Sequence, residues 1–185
     1  MPRSARRPVS PAAGSAPIVP EPRIWQGVVY QPCQGGALLV RQLFQFVGAF
    51  APDPGPRDLA WEARVKTGER LVGGVLCELH DANGFIHGPV VVDPPEGTEP
   101  LEAAAQLVAP LIDLARALPL DSLFTRPQGL DRVWVRLGFV PMPEAFLPPA
   151  LRGRPGSGLH VWRRPGTYAV PVPDPGGEGR RRGRR

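Results

Sequence analysis

The sequence predicts an α/β fold of the α+β type: a mixed, mostly antiparallel central sheet flanked by helices. Two observations predict it. Residues 59–92 hold three strand-like runs joined by tight turns. A long run with a helical apolar stripe, Leu101 to Leu118, then separates them from another short strand, Asp121 to Thr125. The first feature reads as an antiparallel meander, and the second as a crossover through a helix.

The elements follow in order. Ile24 to Tyr30 reads as a first strand. Over 37–50, Leu38, Leu39, Leu43, Phe46, Val47 and Phe50 recur at three- and four-residue steps, which predicts a helix with one apolar face. Asp53-Pro54-Gly55-Pro56 ends it. Leu59 to Lys66 alternates, with Leu59, Trp61, Ala63 and Val65 on one face. Leu71 to His80 is the next strand, Asn83-Gly84 reads as a hairpin turn, and Phe85 to Val92 is the strand after it. Strands so continuously apolar are expected to be covered on both faces.

A loop over 93–100 leads to the helix Leu101–Leu118, which Pro110 is expected to kink or split. The strand 121–125 follows, then a short helix from Leu130 to Leu137, ended by Gly138. Phe139-Val140 opens a final strand. Leu159 to Trp162 is its expected hairpin partner, beyond a Pro- and Gly-rich excursion.

The chain has 185 residues, 42% of them hydrophobic, enough for one domain with a core of ordinary size. No run approaches 18 consecutive apolar residues, so no membrane-spanning helix is expected. The basic N-terminus lacks the apolar stretch of a secretory signal, which makes a cytoplasmic location the expectation. The net charge of +5 is unevenly spread. Residues 1–23 hold four Arg and one Glu, and residues 163–185 hold seven Arg and two acids. The segment between them holds ten Arg, one Lys and fourteen acids, so the basic excess lies in the ends.

Residues 1–22 and 165–185, rich in Pro, Gly, Ala and Arg, are expected to be disordered tails around a domain at 23–164. The terminal run Arg180-Arg181-Arg182-Gly183-Arg184-Arg185 could bind nucleic acid weakly and without sequence preference, and equally reads as a solubilising tail. Of the two cysteines, Cys77 lies in an apolar run and reads as a buried hydrophobe, while Cys33 sits just before a helix. His80, His87 and His160 show no metal-ligand spacing with them, and no metal site is predicted.

The run Val133-Trp134-Val135-Arg136-Leu137-Gly138-Phe139-Val140, placed after the meander 59–92, Val92-Asp93-Pro94, the long helix and the strand 121–125, resembles the GNAT acetyltransferase superfamily. The resemblance covers residues 24–162. It implies an N-acyltransferase that uses acetyl-CoA or another acyl-CoA as substrate. The amine acceptor would attack the thioester directly, in a ternary complex. The acidic middle of the chain favours a cationic acceptor.

In the family, the strand resembling 85–92 offers backbone to the pantetheine arm, here Val90, Val91 and Val92, and the following loop cradles the pyrophosphate at a helix N-terminus. Here the candidate loop donors are Gly97 and Thr98. The sequence departs from the family pattern at this loop. Gly97 stands in place of a Gln or Arg, and Pro100 and Glu102 in place of two small residues. Pro100 has no N–H to donate. Trp134 stands where many members place a Tyr that can protonate the departing thiolate. Indole is no useful acid, and Trp134 is expected to pack beneath the sheet.

The candidates for a general base are His87 and Glu78, with His80 at a strand end beside the turn. The departures keep two other readings open: a GNAT-fold binding module without catalysis, and a nucleic-acid-associated protein that uses its Arg-rich tails.

Overall fold

A computed structural model describes residues 20–33, 37–53, 55–67 and 70–166. Nearly all of both predicted tails, the terminal Arg cluster included, lies outside the described residues. One eight-stranded sheet runs through the described chain in the order β1-β2-β3-β4-β5-β6-β8-β7. Its strands are β1 (Arg23–Trp25), β2 (Val28–Pro32), β3 (Leu59–Val65), β4 (Leu71–His80), β5 (Asn83–Val91), β6 (Ser122–Thr125), β7 (Val140–Met142) and β8 (Leu159–Arg163). Every pairing is antiparallel except β5 with β6, which the helix α2 (Pro100–Ala117) connects. This is the mixed sheet that the meander and the crossover predict.

The first strand is two. Gln26 and Gly27, at φ 46° and 73°, make a tight turn that folds the expected 24–30 run into the β1–β2 hairpin. The meander turn is also displaced. It falls at Asp81-Ala82, and Asn83-Gly84 belongs to β5, with His80 opposite Asn83. Gly84 answers to space: a Cβ there would meet Leu123 Cδ2 at 2.7 Å and Cys77 Sγ at 3.0 Å.

Helix α1 (Ala37–Phe46) ends four residues sooner than its stripe suggests. Gly48 takes φ 69°, and the amides of Val47, Gly48 and Ala49 turn back onto Leu43, Gln45 and Phe44. Phe50 is thereby released from the helix. The long helix is not split at Pro110, which lies buried inside it. Leu107, Val108, Leu111 and Ile112 around it are all buried, and at about 1.5–3 kcal/mol each that burial exceeds the cost of one proline, about 3 kcal/mol.

Both faces of the sheet are covered, as the continuous apolar run of β4 predicts. Helix α2 and the short helix α3 (Asp131–Arg136) close one face over Val75, Cys77, Ile86 and Leu123. On the other face α1 packs over Leu76 and Val90. Beside it the β7–β8 excursion, with 3-10 turns at Glu144–Phe146 and Pro149–Leu151, buries Leu147 and Leu151 against Phe85 and Phe124.

Candidate active site

Strands β5 and β6 are paired from Asn83–Ser122 to Ile86–Thr125 and no further. Thr125 ends β6, while β5 continues to Val91, so residues 87–91 present an edge with no strand beside it. Thr125 Oγ1 fixes the fork by donating to Ile86 O at 3.0 Å. On its other edge β5 carries a bulge: Gly74 faces Val90 and Leu76 faces His87, leaving Gly88 and Pro89 opposite Val75 alone. Gly88 has φ 87°, and a Cβ on it would lie 2.7 Å from Phe44 Cζ, so both backbone and space demand glycine. The Gly88–Pro89 peptide is cis.

The open edge has few donors. Val92 N–H bonds Val72 O at 2.8 Å, toward β4. Amides alternate along a strand, so Val90 also faces β4, and Val91 turns its N–H and C=O to the open side. Pro89, which shares that side, has no N–H.

At the fork stands His87, 3% exposed. Its Nε2 lies 2.6 Å from Glu78 Oε1 on the neighbouring strand. The rings of Phe85 and Phe50 flank it, with centroids at 5.0 and 5.7 Å. Phe50 reaches this position because α1 stops early. Arg154, from the excursion, closes on the same carboxylate, Nη2 to Oε2 at 2.5 Å and Nε to Oε1 at 3.2 Å. His80 Nε2 stands 3.5 Å from Oε2. Burial alone would raise the Glu78 pKa. The hydrogen bonds from His87 and Arg154 and their charges reverse this and hold it at about 2.

A carboxylate only accepts, so the proton between the two groups rides on His87 Nε2. Nδ1 is then the nitrogen with the free lone pair in the neutral ring. It makes no hydrogen bond among the described residues. On its far side Glu78 borders a cleft of about 390 Å³ lined by Asp53, Arg57, Asp58, His80 and Arg154.

A second buried carboxylate, Glu62 on β3, accepts from Gln31 Nε2, Arg64 Nε and Cys33 Sγ at 2.9, 2.8 and 3.3 Å. Burial opposes its charge, and these partners lower its pKa nonetheless. Cys77 is buried, and desolvation, then Asp58 and Glu78, push its thiol far up, so it serves as a core residue.

No protein-family sequence model matches the chain, and no curated protein matches it in sequence. Solved structures do match. An acetyltransferase of the GNAT family from Staphylococcus aureus superposes with a TM-score of 0.53 at 12% identity, over 74% of this chain and 98% of that one. N-acetylglutamate synthase from Neisseria gonorrhoeae, complexed with coenzyme A and L-arginine, gives 0.56 at 18% identity over 74% of this chain. The match spans 33% of the synthase chain. Ribosomal-protein-S5-alanine acetyltransferase from Vibrio fischeri gives 0.53 at 12% identity, over 78% and 97%. The chain has the GNAT acetyltransferase fold.

In this GNAT fold the forked strands are β5 and β6, and the loop 93–99 lies between β5 and α2. Gly97 takes φ 83° with open space around it. The Thr98 N–H is spent on Pro95 O at 2.9 Å, whereas its hydroxyl is buried with no partner. Two of the nearby acids are neutralised, Asp93 by Arg70 at 2.5 Å and Glu102 by Arg136. Trp134 is fully buried, edge-on to Phe139 at 5.0 Å, with no partner for its N–H. It packs beneath the sheet as expected.

The sequence singled out Glu78, His80 and His87, and the structure brings the three together. Arg154 and Phe50 were missed: neither a lone Arg in a Gly-rich excursion nor a Phe at the end of a helical stripe carries a local signal.

Proposed function

We propose that this chain is an acyl-CoA-dependent N-acyltransferase in which His87 is the general base and Glu78 its orienting partner. The observation that carries the reading is the Glu78–His87 pair at the point where β5 parts from β6. It rests also on the CoA complex among the structures that share the fold.

The open edge of β5 at Val91 and the loop at Gly97 and Thr98 are the groups that would hold acyl-CoA. The orphaned, buried Thr98 hydroxyl fits a phosphate acceptor. The thioester supplies an acyl carbon already activated toward nucleophiles. This chain's own residues do the rest. Glu78 accepts from Nε2–H, which leaves the Nδ1 lone pair free to take a proton. Nδ1 takes a proton from an acceptor ammonium, and the neutral amine becomes the nucleophile; the C–N bond would form as the C–S bond breaks, and the excess proton of the new amide nitrogen would pass to the departing thiolate. Glu78 stabilises the imidazolium so formed. Phe50 and Phe85 shield the ring from bulk water and strengthen these contacts. Positioning supplies most of the rate, and no side-chain acid is required of Trp134.

The test is release of free CoA thiol from acetyl-CoA by the full-length protein against a panel of primary amines, amino acids and peptide N-termini, with His87→Ala as control. Turnover by the wild type that His87→Ala loses supports the reading. Turnover unaffected by His87→Ala removes His87 from the chemistry. The catalytically inert binding module has a specific observation in its favour, the spent Thr98 amide and the missing Pro100 N–H. It predicts CoA binding or none, and no turnover with any amine.

A further inference from the structure

We propose that Arg154 is a positioning residue: its two-point grip on Glu78 sets which nitrogen of His87 carries the proton. The inference rests on the acyltransferase reading only for its kinetic consequence.

The geometry around Glu78 is complete. Oε2 meets Arg154 Nη2 at 2.5 Å, and Oε1 meets both Arg154 Nε at 3.2 Å and His87 Nε2 at 2.6 Å. A guanidinium bound through two nitrogens fixes the carboxylate plane as well as its charge, which a single cation does not. Oε1 is thus held within 2.6 Å of the imidazole Nε2. Without that grip the carboxylate has another neighbour: His80, at 3.5 Å from Oε2, sits two residues along the same strand. Arg154 and Glu78 line the same cleft, together with Asp53, Arg57, Asp58 and His80. Removal of Arg154 takes two donors from the carboxylate, one from each oxygen.

Arg154 is itself held. Its Nη1 donates to Arg152 O at 3.1 Å. Two residues on, Gly156 takes φ 119°, where a Cβ would be 2.7 Å from Arg126 Cβ. Arg126 directly follows the last residue of β6 and pairs with Glu144 of the excursion at 2.7 Å. The segment that carries Arg154 is therefore fastened to the β6 side of the fork, and Glu78 and His87 belong to the β4–β5 side. Arg154 ties the two sides together at the carboxylate that holds His87 Nε2.

The experiment reads His87 directly. Ring 15N shifts of His87 would be recorded for full-length wild type, Arg154→Met and Arg154→Lys at a pH where the ring is neutral. The expected wild-type signature is a single Nε2–H tautomer. Arg154→Met is expected to show a mixture with the Nδ1–H form, and Arg154→Lys a smaller admixture. In turnover, Arg154→Met is expected to lose about 10- to 100-fold in kcat, with KM for acetyl-CoA unchanged and part of the loss recovered by Lys. A pure Nε2–H tautomer in both variants overturns the proposal, as does the same result in Lys alone where Met does not fold. The 15N result stands without any turnover. An inactive wild type would sink the acyltransferase reading and leave the positioning role decided on its own terms.

Discussion

Glu78 Oε1 and His87 Nε2 are 2.6 Å apart although nine residues separate them in the chain. They lie on adjacent antiparallel strands, but they are not cross-strand partners: Glu78 faces Phe85, and His87 faces Leu76. The contact is a diagonal on one face of the sheet, immediately before the bulge at Gly88-Pro89. A shift of one residue in the β4–β5 register would send the two side chains to opposite faces.

Replacing His87 by Gln keeps the bulk and a donor but removes the base. The expected loss in kcat/KM for the amine is about 10²–10⁴-fold, with acetyl-CoA affinity unchanged. Steady-state kinetics beside a binding titration check it. A parallel loss of acetyl-CoA binding would mean that His87 acts on the cofactor site.

Glu78 titrates at about 2 in the folded chain against an ordinary 4.5. A depressed carboxylate stabilises the fold above its ordinary pKa and loses that stabilisation as pH falls through the folded value. The contribution is therefore full above about pH 4.5 and fades toward pH 2. The unfolding free energy of wild type minus Glu78→Gln, measured by denaturant between pH 6 and 2, should shrink over that window. Glu78→Ala should cost about 3–5 kcal/mol at neutral pH, since it strands Arg154 beside the buried His87.

Much of the fold was legible in the sequence. The α1 stripe, the apolar run of β4 and the spacing from Val92 to Phe139 depend on periodicity, and periodicity is local. The displaced turn shows where this ends. Asn83-Gly84 carries a hairpin signal, yet Gly84 is needed because Leu123 and Cys77 crowd it, one of them from a strand beyond the crossover. The site divides in the same way. Glu78 and His87 could be named because the meander places both on central strands. Arg154 could not, because 76 residues and two helices separate it from the carboxylate it holds. The early end of α1 hid Phe50 similarly, since the apolar stripe continues past the residue where Gly48 turns the chain.

Gly88→Ala should destabilise the fold by about 1–3 kcal/mol through its φ of 87°, beyond any clash with Phe44. Thermal unfolding of Gly88→Ala with and without Phe44→Leu separates the two causes. The double variant is expected to recover the stability lost to the clash but keep the backbone cost.

Trp134→Phe should leave kcat within about twofold, because the indole N–H has no partner and the side chain is sealed from solvent. Its cost falls on stability, about 1–3 kcal/mol of lost packing. A large fall in kcat with unchanged stability would return Trp134 to the chemistry.

On the acyltransferase reading, the fork between β5 and β6, with its sparse donors, still receives acyl-CoA beside His87. Calorimetric titration of the full-length protein with acetyl-CoA and with CoA tests it most directly. Saturable binding in the micromolar range is expected, weakened when Thr98→Val removes the orphaned hydroxyl. No binding of either ligand up to millimolar concentration would contradict it.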